Sequence, residues 1–160
     1  MLRTIATLTA GLVAGLTTLG GVAEYSTATT GYPAGQCTAY VASRLPWIPS
    51  DWGDADEWLS DATGAGFATI RGSDITAVLP GDVAVMAADT PTAHGRVSSS
   101  GHVGIVIALN RSAATVTLSS ENWPEGDSSP TSLAFASSDI EGYILPPTSG
   151  TAPIAITHQP

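Results

Sequence analysis

The sequence predicts an α+β domain in which N-terminal helices pack on one antiparallel β-sheet. Two observations carry this reading. Helix-like patterns run from Cys37 to Thr63 and strand-like patterns from Val83 to Leu145, a segregation that sets helices against an antiparallel sheet. The 160 residues, 43 % of them hydrophobic, are enough for one domain with its own core. Cys37 is the only cysteine, so no internal disulfide is available and packing alone must hold the fold.

Residues 1–23 stand apart. Arg3 precedes a charge-free run of apolar and small residues from Ile5 to Leu19, and Gly21 and Ala23 are small residues suited to a cut after Ala23. The segment reads as a signal peptide. An uncleaved membrane anchor, with membrane contact through residues 1–23, and an ordinary buried helix are the alternatives. Residues 24–31 read as a polar linker, and the folded domain is expected over 32–146.

Gly31, Pro33 and Gly35 make a turn-rich approach to Cys37. From there Cys37, Tyr40, Val41 and Leu45 lie close to i, i+3, i+4 spacing and predict a helix over Cys37–Leu45, stopped by Pro46. The sulfur therefore sits at a helix N-terminus, where unpaired N–H groups and the helix dipole favour a thiolate. Packing as a small buried hydrophobe is the structural alternative. An aromatic loop, Trp47 to Gly53, leads to a second helix over Asp54–Thr63, with Ala55, Trp58, Leu59 and Ala62 on one face. Acids fill its first turn, and Gly64 and Gly66 end it.

Leu79-Pro80-Gly81-Asp82 is a turn that delivers the strand Val83–Ala87. Ala88 to Ser100 is polar and too long for a simple hairpin, hence a candidate loop beside a substrate. The strongest strand is His102–Leu109. Its alternation puts Val103, Ile105, Ile107 and Leu109 on one face, and His102, Gly104, Val106 and Ala108 on the other. Strands over Thr115–Ser120 and Gly142–Leu145 follow, and Pro146 and Pro147 open a tail read as disordered over 147–160.

The chain has five arginines, no lysine and 14 acids, a net charge of −9. Nothing here forms the basic patch that nucleic acid requires, so no nucleic-acid partner is expected. The densest acids, Asp51, Asp54, Asp56, Glu57 and Asp61, read as the solvated side of a helix rather than a metal cluster.

A cysteine nucleophile needs a base, and the base needs an orienting group. Of three histidines, His158 lies in the tail and His94 in mid-loop, while His102 opens a rigid strand directly after Gly101. The orienting group is sought after Ser120. On a regular strand Asn122 continues the face of Val116, Leu118 and Ser120 while Glu121 points away, and a bulge would exchange them. Trp47, Trp52 and Trp123 either line a cleft or pack in the core.

Five motifs in order, Gly35-Gln36-Cys37-Thr38, Trp52-Gly53-Asp54-Ala55, Pro80-Gly81-Asp82-Val83-Ala84-Val85, Gly101-His102-Val103-Gly104-Ile105-Val106 and Glu121-Asn122-Trp123, resemble those of CHAP domains. These are cysteine, histidine-dependent amidohydrolase/peptidases that cut bacterial cell-wall peptides. The resemblance spans about Tyr32 to Leu145 and implies a papain-like fold. It makes Cys37 the nucleophile, His102 the general base, and the Cys37 N–H with Gln36 the oxyanion site. Ser120 stands where many members carry Glu, so Asn122 is the preferred orienting residue and Glu121 the second choice. Trp52 and Trp123 become the expected substrate-contacting aromatics. Some members bind calcium through acids just before the cysteine, but the stretch from Glu24 to Gln36 holds only Glu24, so neither metal nor cofactor is expected.

The implied function is hydrolysis of peptidoglycan at a peptide or N-acetylmuramoyl-L-alanine amide bond, through a thioester. The protein would act outside the cell or in the wall, as an endolysin or a bacterial remodelling enzyme. A wall-binding or virion-structural module that has lost catalysis is the alternative. The sequence leaves oligomeric state open.

Overall fold

The computed structural model describes residues 30–148. The expected signal or anchor segment, almost all of the linker and most of the tail lie outside the described residues.

Helix α1, Cys37–Arg44, begins after an extended Gln36 and buries Cys37, Thr38, Tyr40 and Val41. The expected second helix is divided. Its first turn, Ala55–Glu57, is a 3₁₀ turn, and α2 proper covers Trp58–Gly64. The Glu57 carboxylate reaches back to accept the Asp54 N–H at 2.9 Å, a capping contact that tightens this start.

Eight strands follow: β1 Thr69–Arg71, β2 Val83–Met86, β3 Pro91–Thr92, β4 Gly95–Arg96, β5 His102–Asn110, β6 Thr115–Ser120, β7 Thr131–Ala136 and β8 Gly142–Ile144. Six form one antiparallel sheet in the order β1-β8-β2-β5-β6-β7. The other two, β3 and β4, make a small hairpin inside the segment expected as a loop. β7 has no counterpart in the sequence reading, because Leu133 and Phe135 are its only large apolar residues. Its ladder to β6 runs unbroken from Thr115↔Ala136 to Ser120↔Thr131, so pairing rather than pattern defines it.

Both faces of the sheet are covered. On one, Val83, Val85, Val103 and Ile144 pack with Cys37, Val41, Trp58 and Leu59 of the helices. On the other, Ala84, Met86, Val106, Leu118 and Tyr143 pack under Ile75, Val78, Val97 and Ile140 from the connections. β5 serves both clusters. Its register passes from Val106↔Leu118 to Ala108↔Thr117, leaving Ile107 as an inserted bulge residue that is 45 % exposed. The expected continuous face is therefore broken: Val103 and Ile105 face the helices, whereas Leu109 joins the opposite cluster.

Gly101 sets the approach to β5. Its φ is +73°, and a Cβ there would sit 2.5 Å from the Asp56 amide nitrogen. That same N–H donates to the Ser100 carbonyl at 3.1 Å, clamping the 3₁₀ turn to the residues before His102. Gly101→Ala combines left-handed strain with a backbone clash. We expect a loss of about 1–3 kcal/mol in urea denaturation, with a lower thermal midpoint. Unchanged stability would show that the clamp is dispensable.

Candidate active site

A cleft of about 300 Å³ opens where α1, the β3–β4 hairpin, the start of β5 and the turn after β6 converge. Gln36, Cys37, His94, Arg96, His102 and Asn122 all line it. The two residues expected to do the chemistry thus share one cavity, although they lie far apart in the chain.

Cys37 is buried, and α1 has no side-chain cap. The amides of Cys37, Thr38 and Val103 face its sulfur and draw the thiol pKa down, but burial pushes it up and prevails, helped by the Asp54 carboxylate. Burial thus opposes the thiolate that the helix N-terminus was expected to favour. Desolvation of a charge outweighs the partial charges at the end of an eight-residue helix.

His102 is 3 % exposed, and burial alone takes its pKa down to about 4. Its Nε2 is buried without a hydrogen-bond partner. Aromatic packing holds the ring instead: the imidazole meets Trp123 edge-on at 5.0 Å between centroids. Trp123 in turn meets Phe135 at 5.4 Å, and Phe135 meets His94 at 5.1 Å.

No hydrogen bond joins His102 to Asn122 or Glu121, the two expected orienting residues. β6 ends at Ser120, and Asn122 takes a left-handed φ of 60°, so the regular alternation that placed both candidates stops short of them. Asn122 has other partners. Its Oδ1 accepts the Gly126 N–H, and its Nδ2 donates to Gln36 Oε1 at 2.8 Å. With its oxygen so engaged, Gln36 has its Nε2 donors left to offer. Ser120, at the position where the resemblance has Glu, is buried.

Trp123, buried in the core on the side of the sheet away from the helices, also lines the cleft. Trp52 does not. It lies buried in the helix-side core, edge-on to Trp58 at 5.5 Å and to Phe67 at 5.3 Å, which corrects its expected contact with substrate. Trp47 also packs on Phe67, at 5.8 Å. Two cleft residues were not singled out by the sequence reading. His94, set aside as mid-loop, is fixed by a 2.7 Å hydrogen bond between its Nε2 and the Ala134 carbonyl. Arg96 stands beside it on β4. Their signal was legible: the polar stretch Ala88–Ser100 carries only these two basic side chains, around a Gly95 that allows a turn.

Helices on one side of an antiparallel sheet, with a helix-presented thiol and a strand-borne imidazole in one cleft, define a papain-like α+β domain. A family model for the CHAP domain matches residues 27–122, more than half of the chain. The chain belongs to the CHAP domain family. Among solved structures it is similar to an N-acetylmuramoyl-L-alanine amidase from Staphylococcus aureus, with 23 % identity and a TM-score of 0.55 over 71 % of this chain. A structure of Ly7917 aligns at 16 % identity and a TM-score of 0.47 over 75 % of this chain, covering 58 % of its own. The chain spans about 31 % of the length of the amidase it matches.

The His102 environment has a consequence for stability. Its folded pKa is about 4, against an ordinary value near 6.5, so between these values the unfolded chain binds the extra proton. The contribution of His102 to stability is complete above about pH 6.5 and is lost as pH falls toward 4, by about 3 kcal/mol. Urea denaturation at pH 7 and pH 4.5 should show a smaller acid loss in His102→Gln than in wild type. An equal loss in both would assign the acid sensitivity elsewhere.

Proposed function

We propose that the protein is a peptidoglycan hydrolase in which Cys37 attacks a peptide or N-acetylmuramoyl-L-alanine amide carbonyl. The observation that carries this reading is the single cleft that joins Cys37, at the start of α1, with His102, at the start of β5. Family membership supports it.

Burial opposes charge on both partners, raising the thiol pKa and lowering that of the imidazole. The proton therefore leaves the sulfur as the carbon–sulfur bond forms, rather than beforehand. Since Nε2 is buried, Nδ1 is the imidazole nitrogen that takes this proton. It then passes the proton to the departing amine, which leaves the acyl group on sulfur as a thioester. Water, deprotonated by the same nitrogen, attacks the thioester and releases the acid and the free thiol. The Cys37 N–H and Gln36 Nε2 are the donors for the oxyanion. In this scheme Asn122 is a positioning residue for Gln36, a role supported by its 2.8 Å bond to the Gln36 oxygen. Residues 1–23 would serve export, so that the protein meets its substrate outside the membrane.

The opposed burial effects also favour a second reading, a wall-binding module without turnover. Mass spectrometry of material released from purified walls separates the two. Wild type should release defined muropeptides, and Cys37→Ala or His102→Ala should release none while keeping native circular dichroism. Full release by either variant overturns the catalytic assignment.

The oxyanion assignment has its own test. Gln36→Ala should lower kcat by roughly 10²-fold with little change in KM. Asn122→Ala should act in the same direction, and the double variant should be little worse than Gln36→Ala, because both changes disable one donor. Additive losses would make Asn122 independent of Gln36.

A further inference from the structure

The described residues contain four arginines, and three have structural duties. The Arg44 guanidinium lies 3.7 Å over the Tyr40 ring. Arg71 pairs with Glu141 at 3.7 Å. Arg111 donates to the Val78 carbonyl at 2.8 Å. Arg96 is the remaining one, and it lines the cleft. Its Nη1 donates to the Asp89 carbonyl, which anchors the guanidinium without neutralising it, and no carboxylate pairs with it among the described residues.

In a chain of net charge −9 this placement matters. The acids of the cleft wall are Asp54, at the α2 side, and Glu125, in the turn after Trp123. An anionic group entering the cleft is repelled by both and attracted by Arg96. The hairpin holds that charge in a fixed place: Val97 N–H donates to Thr90 O at 2.9 Å, and His94 is bonded to Ala134. An anchored guanidinium with donors to spare matches a carboxylate, which it can bind through two parallel hydrogen bonds.

We propose that Arg96 is a specificity-determining residue that binds a free carboxylate on the substrate peptide, near the bond presented to Cys37. The proposal rests on the hydrolase reading for the name of the substrate. The carboxylate preference itself is a binding property and is measured without turnover. It also fixes the direction of binding, with the carboxylate-bearing part of the peptide against the β3–β4 hairpin.

The test uses the full chain carrying Cys37→Ala, with tryptophan fluorescence as the readout. The probes are two synthetic N-acylated alanyl-glutaminyl peptides, one with a free α-carboxylate and one with a carboxamide in its place. The free carboxylate should bind about tenfold tighter at low salt, and the gap should narrow as salt rises. Arg96→Gln should erase the preference by weakening only the carboxylate peptide, while Arg96→Lys should keep part of it. Equal affinity for both peptides, no binding of either, or a preference that survives in Arg96→Gln each overturns the proposal. A preference that depends on Arg96 in a protein that releases nothing from walls would sink the hydrolase reading and leave the carboxylate site standing.

Discussion

The first residues of β5 are the constraint on which the rest depends. Val103 packs among the helices and sends its amide toward the Cys37 sulfur, while His102, one position earlier, faces the opposite cluster. A strand buried on both faces allows neither residue to move independently of the core. The start of α1 is seated against this strand by Cys37 and Val41, and Tyr40 adds a hydroxyl contact to Ser119 on β6. Cleft geometry is thus a by-product of sheet register: a shift of one residue in β5 would exchange His102 and Val103 and remove the imidazole from the cavity. The bulge at Ile107 absorbs the irregularity farther along the strand, away from His102.

Burial then sets the chemistry. Desolvation disfavours the charged form of both Cys37 and His102, raising the thiol pKa and lowering that of the imidazole. The polar order lies around them, in the Asn122–Gln36 bond and in the amides at the start of α1. Donors fixed in advance in this way need no reorganisation when they meet a charge. The ring has its position from Trp123 and not from a carboxylate or amide.

Much of this was legible in the sequence. Strong local signals carried α1, α2 and the strands β2, β5, β6 and β8, because each has either a helical stripe or clear apolar runs beside turn residues. Cys37 and His102 could be singled out because each begins a regular element after glycine-rich chain. What escaped was determined by pairing. β7 is made by its ladder to β6, and β3 and β4 are too short to have a period. The placement of Asn122 and Glu121 escaped for a related reason. Alternation along β6 was carried past Ser120, where the chain turns left-handed at Asn122. Trp52 shows the limit of composition: an aromatic residue in a loop can as well be the centre of a core as the wall of a cleft.

β7 pairs with β6 on one side and ends the sheet on the other. Such an edge exposes backbone groups to any passing strand, and Thr131–Ala136 carries no charged side chain to discourage one. His94 occupies the Ala134 carbonyl of that edge, from a hairpin that also walls the cleft. A foreign strand adding to β7 would have to evict His94, and with it the edge-on contact to Phe135. The cleft wall is therefore also a guard against edge-to-edge association, and this face of the molecule has a colloidal duty alongside any catalytic one.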